Sequence, residues 1–318
     1  VSRTVAPTPA PTTPRPPRRG FALLAFAGLA WGTTGAAAEL LYRTGDMGPL
    51  ALSFWRFLAG AALLLPAWAL TRTRRRPVHT PAPARRRAPL LLGTGLGLAV
   101  FQSAYFVSVQ ATGLAVSTVV TLGAAPVLTA AAGRLFLGER VGRGGLWALA
   151  GALTGLAVLV LGNEPGVVRP AGVAASLLSA TGYTLSHVLG RRTGRHGTGE
   201  DPLALTLWSF LVGAAALLLP AWAEGPVPHG DHRAEAALVL LYLATVTTAV
   251  AYPLYFAGVA AVPAATAAVM MLLEPVSAAV LAVALLGERL TSATVAGTAI
   301  LLTSITTLAA ASRPRRRD

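Results

Sequence analysis

Apolar blocks of roughly twenty residues recur along almost the whole chain, separated by short polar or arginine-bearing breaks. At 1.5 Å of rise per residue, about twenty helical residues cover a hydrocarbon layer of about 30 Å. A helix is also the one open-ended element that satisfies its own backbone in lipid. The pattern therefore predicts an all-α integral membrane protein. Charge agrees, because only 12% of residues are charged, about half of what a water-facing domain carries. The blocks place ten transmembrane helices at Phe21–Leu40 and at approximately 50–70, 88–108, 115–137, 145–162, 171–190, 203–222, 236–256, 264–285 and 292–311. The third and fourth are split only by Gln110, Thr112 and Gly113, but fused they would be far too long for one crossing.

Residues 1–19, rich in Pro, Thr and Arg, have nothing apolar to bury and read as a disordered cytoplasmic tail; 312–318 form a second, basic tail. Arg18 and Arg19 before an apolar stretch ending in Ala36, Ala37 and Ala38 also have the layout of a signal peptide. Cleavage there would leave an odd number of spans and spoil the repeat described below. The net charge of +14 does not point to nucleic acid, because the arginines lie between and beside the apolar blocks. One side receives four from the N-terminal tail, seven from 71–87, Arg140 and Arg143, three from 191–195 and four from the C-terminal end, twenty in all. The other side has Arg43, Arg169, Arg233 and Arg289. Positive-inside asymmetry puts both termini in the cytoplasm. The absence of Cys excludes disulfides, thiolate catalysis and thiolate metal sites.

The two halves repeat. Ala51-Leu-Ser-Phe-Trp-Arg-Phe-Leu-Ala-Gly in the second span answers Ala204-Leu-Thr-Leu-Trp-Ser-Phe-Leu-Val-Gly in the seventh, and both run on to Leu-Pro-Ala-Trp. Tyr105-Phe106 answers Tyr255-Phe256. Pro126 precedes Leu137-Gly-Glu-Arg140 as Pro275 precedes Leu286-Gly-Glu-Arg289, with both the prolines and the glutamates 149 residues apart. The repeats are assigned to 20–162 and 163–311. Five spans per copy is an odd number, so the copies enter the membrane from opposite sides. Two inverted five-helix repeats about an axis in the membrane plane supply two near-equivalent states, one open to each face, the physical basis of alternating access.

Several side chains are candidates for a substrate cavity. Glu274, in mid-span before Pro275, is expensive in hydrocarbon and should face the bundle interior, as a proton-coupling or substrate-amine site or as a structural carboxylate bonded to a neighbour. Arg56 suits a substrate carboxylate or Glu274, against snorkelling to the outer interface; Ser209 stands at the matching position, so its role is not two-fold. Pro126 and Pro275 each remove a backbone hydrogen bond, which either kinks a helix or exposes carbonyl groups to a cavity. His187 offers a titrating group near the cytoplasmic end of the sixth span. Trp31, Trp55, Tyr105, Tyr183 and Tyr252 could line an apolar pocket with polar tips, against helix packing or interfacial anchoring. Glu139-Arg140 and Glu288-Arg289 lie at helix ends on opposite faces, as interface anchors or gates. His229, Asp231, His232 and Glu235 make no closed ligand set, so no metal is expected, and no embedded nucleophile has a base beside it, so neither is an enzyme.

Trp31-Gly32, Arg56-Phe57 with Gly60, and the duplicated pattern from Pro to Leu-Gly-Glu-Arg at 126–140 and 275–289 resemble, in order and spacing, the EamA-type branch of the drug/metabolite transporter superfamily. The resemblance covers about 21–311. It implies a ten-span carrier of a bacterial-type cytoplasmic (inner) membrane, exporting amino acids, related metabolites or toxic compounds, in some members by exchange or proton coupling. It also implies a cavity near Trp31 and Pro126, with Pro275 and Glu274 near the inverted counterpart. Glu39 stands where many relatives carry a basic residue. No cofactor is implied, and no Walker A pattern supplies nucleotide energy. The expected partners are a small-molecule substrate and the bilayer, with a proton as coupling ion. An uptake carrier or exchanger of the same fold, or a non-transporting scaffold or lipid-handling protein, is the alternative.

Overall fold

Wherever they are described, the apolar blocks are helical, and most of these helices run a few residues past the predicted span. A computed structural model describes residues 17–44, 47–74, 84–137, 143–162, 168–195, 202–227, 233–259, 261–262 and 270–311. Glu139, Arg140, His229, Asp231, His232 and the segments 1–16 and 312–318 lie outside the described residues. In chain order the helices are α1 (Pro17–Thr44), α2 (Pro49–Arg74), α3 (Ala84–Thr112), α4 (Leu114–Leu137), α5 (Arg143–Leu161), α6 (Pro170–Arg195) and α7 (Pro202–Glu224). Then come α8 (Arg233–Ala244), a π-helical stretch (Thr245–Val250), α9 (Ala251–Val259), α10 (Leu273–Ala284) and α11 (Ser292–Ala311). Residues 17–19, expected in the tail, belong to α1. Pro17 is tolerated there because N–H groups of a first helical turn have no intrahelical acceptor.

Among the described residues, five stretches are long and apolar enough to cross a bilayer: Arg19–Arg43, Pro49–Thr71, Arg87–Thr112, Leu203–Glu224 and Arg233–Tyr255. Shorter apolar segments fill Leu114–Thr129, Ala150–Leu159, Leu273–Ala284 and Ser292–Ser304. α6 is less apolar because it carries Ser, Thr and Gly along its length. Those hydroxyls are used inside the bundle: Ser179 donates to the Phe101 carbonyl at 2.7 Å, and Ser176 Oγ lies 2.5 Å from Ser108 Oγ on α3.

Helix neighbours exchange when the repeats are exchanged. α1 lies along α10 and along the α8–α9 rod, while its counterpart α6 lies along α4 and α3. α2 packs on its own counterpart α7, and α5 on α11. Directions follow from the residues that meet. Gly28 faces Leu273 and Arg43 reaches Leu286, so α1 and α10 run parallel. Thr121 and Thr129 meet Ser176 and Thr184, so α4 and α6 do too. Leu50 and Phe57 meet Glu224 and Gly213, and Gly151 and Gly155 meet Ser304 and Gly297, so both self-pairs are antiparallel. At the second pair the backbones touch: a Cβ on Gly297 would sit 2.7 Å from the Gly155 carbonyl oxygen. Small residues permit the close approach that packs helices in lipid.

Candidate functional site

α2 turns Arg56 inward, where it is 5% exposed. It does not snorkel. A guanidinium carries five N–H donors and is costly to bury unless they meet acceptors. Nη1 donates to Gln102 Oε1 at 2.6 Å, Nε to Thr248 Oγ1 at 3.2 Å and Nη2 to Thr247 Oγ1 at 3.2 Å. The guanidinium carbon stands 5.9 Å from the centre of the Phe106 ring. All three acceptors are neutral, and among the described residues no carboxylate lies within ion-pair distance of Arg56.

Thr247 and Thr248 adjoin in sequence and still reach one guanidinium, because the helix is opened into a π-helical turn at that point. Each hydroxyl donates its own proton to the Leu243 carbonyl, at 2.8 and 2.9 Å, and so keeps lone pairs for Arg56. The Thr247 carbonyl accepts the Trp31 indole N–H at 2.9 Å. Pro253 follows three residues after the π-turn and has no N–H to return to that turn. Turns of this kind inside α-helices concentrate at functional sites.

Glu274 enters from the other repeat. A turn at 271–272 precedes α10, so Glu274 occupies the first turn of a helix and Pro275 the position after it. Proline costs nothing there, and a carboxylate is favoured by the helix dipole. Pro126, its counterpart, lies inside an uninterrupted α4. The Glu274 carboxylate is within electrostatic reach of Arg56, Tyr105, Tyr252 and Tyr255. Among the described residues it makes no direct ion pair. Trp31 stacks edge and tilt against Tyr252 and Tyr255, each at 5.0 Å between ring centres. The Tyr105 hydroxyl is 2.8 Å from Thr118 Oγ1.

The structure thus gathers Trp31, Arg56, Tyr105, Tyr252 and Glu274 where α1, α2, α3, the π-turn, α9 and α10 converge, while Pro275 faces Val119, Leu122 and Leu301 on the α4 and α11 side. Tyr183 and His187 form a separate group on α6: their rings stack at 3.8 Å, and Tyr183 meets Phe101 edge-on at 5.3 Å. Gln102, Thr247 and Thr248 escaped sequence reasoning, although Thr245-Val-Thr-Thr248 inside an apolar run, followed by Pro253, was the available signal. An apolar crevice of about 80 Å³ elsewhere, lined by Gly123, Val127, Ala152, Leu153, Leu156 and Leu177, has no comparable polar group. Chemically the cluster combines a cation, a carboxylate and aromatic side chains.

At the helix-end candidates, Gly287 adopts φ +70°, and the Glu288 N–H reaches back six residues to the Ala282 carbonyl at 2.8 Å, a left-handed glycine stop one residue wider than a Schellman turn. This gives the Leu-Gly-Glu motif a physical meaning: Gly stops α10, and the Glu288 side chain is carried past the helix end. Its carboxylate accepts the Leu114 and Ala115 N–H groups at 2.6 and 3.1 Å. Arg289 is exposed.

The sequence pattern of the EamA-like transporter family matches residues 18–161 and 170–310. The chain is 30% identical to the uncharacterized transporter YwfM of Bacillus subtilis, over 90% of this chain and 92% of that one. It is 26% identical to the uncharacterized inner membrane transporter YicL of Salmonella typhimurium, over 94% and 98%. A probable amino-acid metabolite efflux pump of Salmonella typhimurium is 27% identical over 70% of this chain and 77% of that one. A solved crystal structure, 20% identical, superimposes with a TM-score of 0.60 over 91% of this chain and 95% of the other, a likeness of fold.

Proposed function

Because the chain belongs to the EamA-like transporter family, we propose that it is a secondary active transporter that exports small organic metabolites, amino acids or related amphipathic compounds, by alternating access. The observation that carries this reading is a buried Arg56, held by neutral acceptors, within electrostatic reach of Glu274 in the first turn of α10 from the other repeat. Carriers built from inverted repeats place substrate sites near the midplane at such discontinuous helices. Export of amino-acid-like compounds is suggested by the efflux pump among the relatives. A gradient supplies the energy, with Glu274 as the proton-coupling carboxylate.

Ten crossings in two inverted repeats, 20–162 and 163–311, are part of the proposal. Parallel α1 and α10, parallel α4 and α6, and antiparallel self-pairs are the directions that ten alternating crossings require. The arginine asymmetry then puts both termini in the cytoplasm and the turns near Arg43, Arg169, Arg233 and Arg289 outside.

Counterflow in proteoliposomes, with labelled amino acids and amphipathic cations as the panel, tests the reading. Saturable exchange restricted to part of the panel is expected. Folded protein that exchanges no member of the panel counts against transport and for a scaffold or lipid-handling role.

A further inference from the structure

On the face where α1 ends, two carboxylates from the second repeat grip helix starts of the first. Glu224, closing α7, accepts the Leu50 and Ala51 N–H groups of α2, each at 2.7 Å. Glu288, beyond α10, accepts the Leu114 and Ala115 N–H groups of α4. The arrangement recurs: two consecutive backbone donors meet one carboxylate, both on Oε2 of Glu224 and one on each oxygen of Glu288, with a glycine ahead that leaves room for it. A Cβ on Gly113, which has φ +88°, would lie 2.9 Å from Glu288 Oε1, and one on Gly48 would run into the Glu224 carboxyl group. Two further ties cross the repeats at this face. The Trp55 indole donates to the Pro226 carbonyl at 2.5 Å. Arg43, held by Glu39 at 3.0 Å, donates to the Leu286 carbonyl at 3.2 Å.

We propose that Glu288 and Glu224 form a latch that holds this face closed, and that Glu288 lets go of α4 when the face opens. A helix start has free N–H donors that a carboxylate holds more strongly than water does, but that water can still satisfy. Release therefore exchanges one good partner for another and leaves no buried donor stranded, which a latch needs and a static core contact lacks. Ala36, Leu114, Ala278 and Ala282 form the buried apolar layer directly beneath.

The inference rests on the alternating-access reading, but its test needs no substrate and so fails separately from it. The chain has no native Cys, so a single thiol reports locally. Ala282→Cys places one under the latch, and Leu24→Cys places one at the opposite end of the bundle; both positions are 0% exposed. Labelling with a membrane-impermeant thiol reagent, applied from each side of oriented vesicles, is compared with and without Glu288→Gln. The amide loses the charge and sets an NH2 group where one of the two accepting oxygens stood, so one of the two N–H donors loses its partner. The latch predicts that labelling at Ala282→Cys rises about tenfold or more from the latch face only, the scale of one lost charge-assisted hydrogen bond, while Leu24→Cys does not rise. Gly113→Ala, which pushes on Glu288 from the α4 side, should act in the same direction. An unchanged rate at Ala282→Cys in both variants overturns the latch. So does a rise at both thiols together with a lower melting temperature, which would make Glu288 a static helix cap.

Discussion

Where α2 meets the π-turn, Arg56 is buried against Thr247, Thr248 and Gln102. At the equivalent contact of the other repeat α7 meets α3, and Ser209 stands in place of Arg56, also buried, with its hydroxyl unpartnered among the described residues. That side closes by glycine: a Cβ on Gly95 would lie 2.6 Å from the Val212 Cβ. The scaffold therefore asks only for close approach at this contact, and one repeat supplies it without any charge. Arg56, with the distorted helix that accommodates it, is an addition to what packing requires. The prolines differ in the same way, since Pro126 lies inside a continuous helix and Pro275 opens one next to Glu274. One repeat contact serves as frame while its inverted partner carries polar chemistry.

Arg56→Met should break this contrast most severely. It removes three hydrogen bonds to a charged group, each worth about 1.5–3 kcal/mol when made, and strands Gln102 in the core. Exchange in proteoliposomes should fall by about a hundredfold or more, with a lower melting temperature in detergent; retained exchange would reduce Arg56 to frame. Trp31→Phe keeps the aromatic wall but loses the indole bond to the Thr247 carbonyl. Its loss of about 1 kcal/mol should appear as a severalfold drop in exchange, and an unchanged rate would detach the π-turn from function. Ser209→Ala should do least. It deletes an unpaired buried hydroxyl, so exchange should stay at wild-type level and melting should hold or rise slightly. A large loss would show that the second repeat contact is also working polar chemistry.

Block length and the duplicated motifs made the helices and the repeat readable before any coordinates, because crossing hydrocarbon imposes a length and duplication leaves matching prolines and glutamates. Phase was not readable. Spans apolar on nearly every side carry no periodicity to say which way Arg56 points, and inward burial separates from snorkelling only once α3 and the π-turn are placed. The break before Glu274 was likewise hidden, since identical proline spacing in the two halves predicts identical helices. Glu288 was visible as a helix-end residue, but its donors lie 174 and 173 positions away at Leu114 and Ala115. No local pattern connects them.

The most direct measurement sets counterflow beside pH-gradient-driven flux in proteoliposomes holding equal amounts of wild-type and Glu274→Gln protein. If Glu274 carries the coupling proton in a transporter built around Arg56, the variant keeps substrate exchange and loses gradient-driven accumulation. Gradient-driven flux at the wild-type level in the variant would contradict the account.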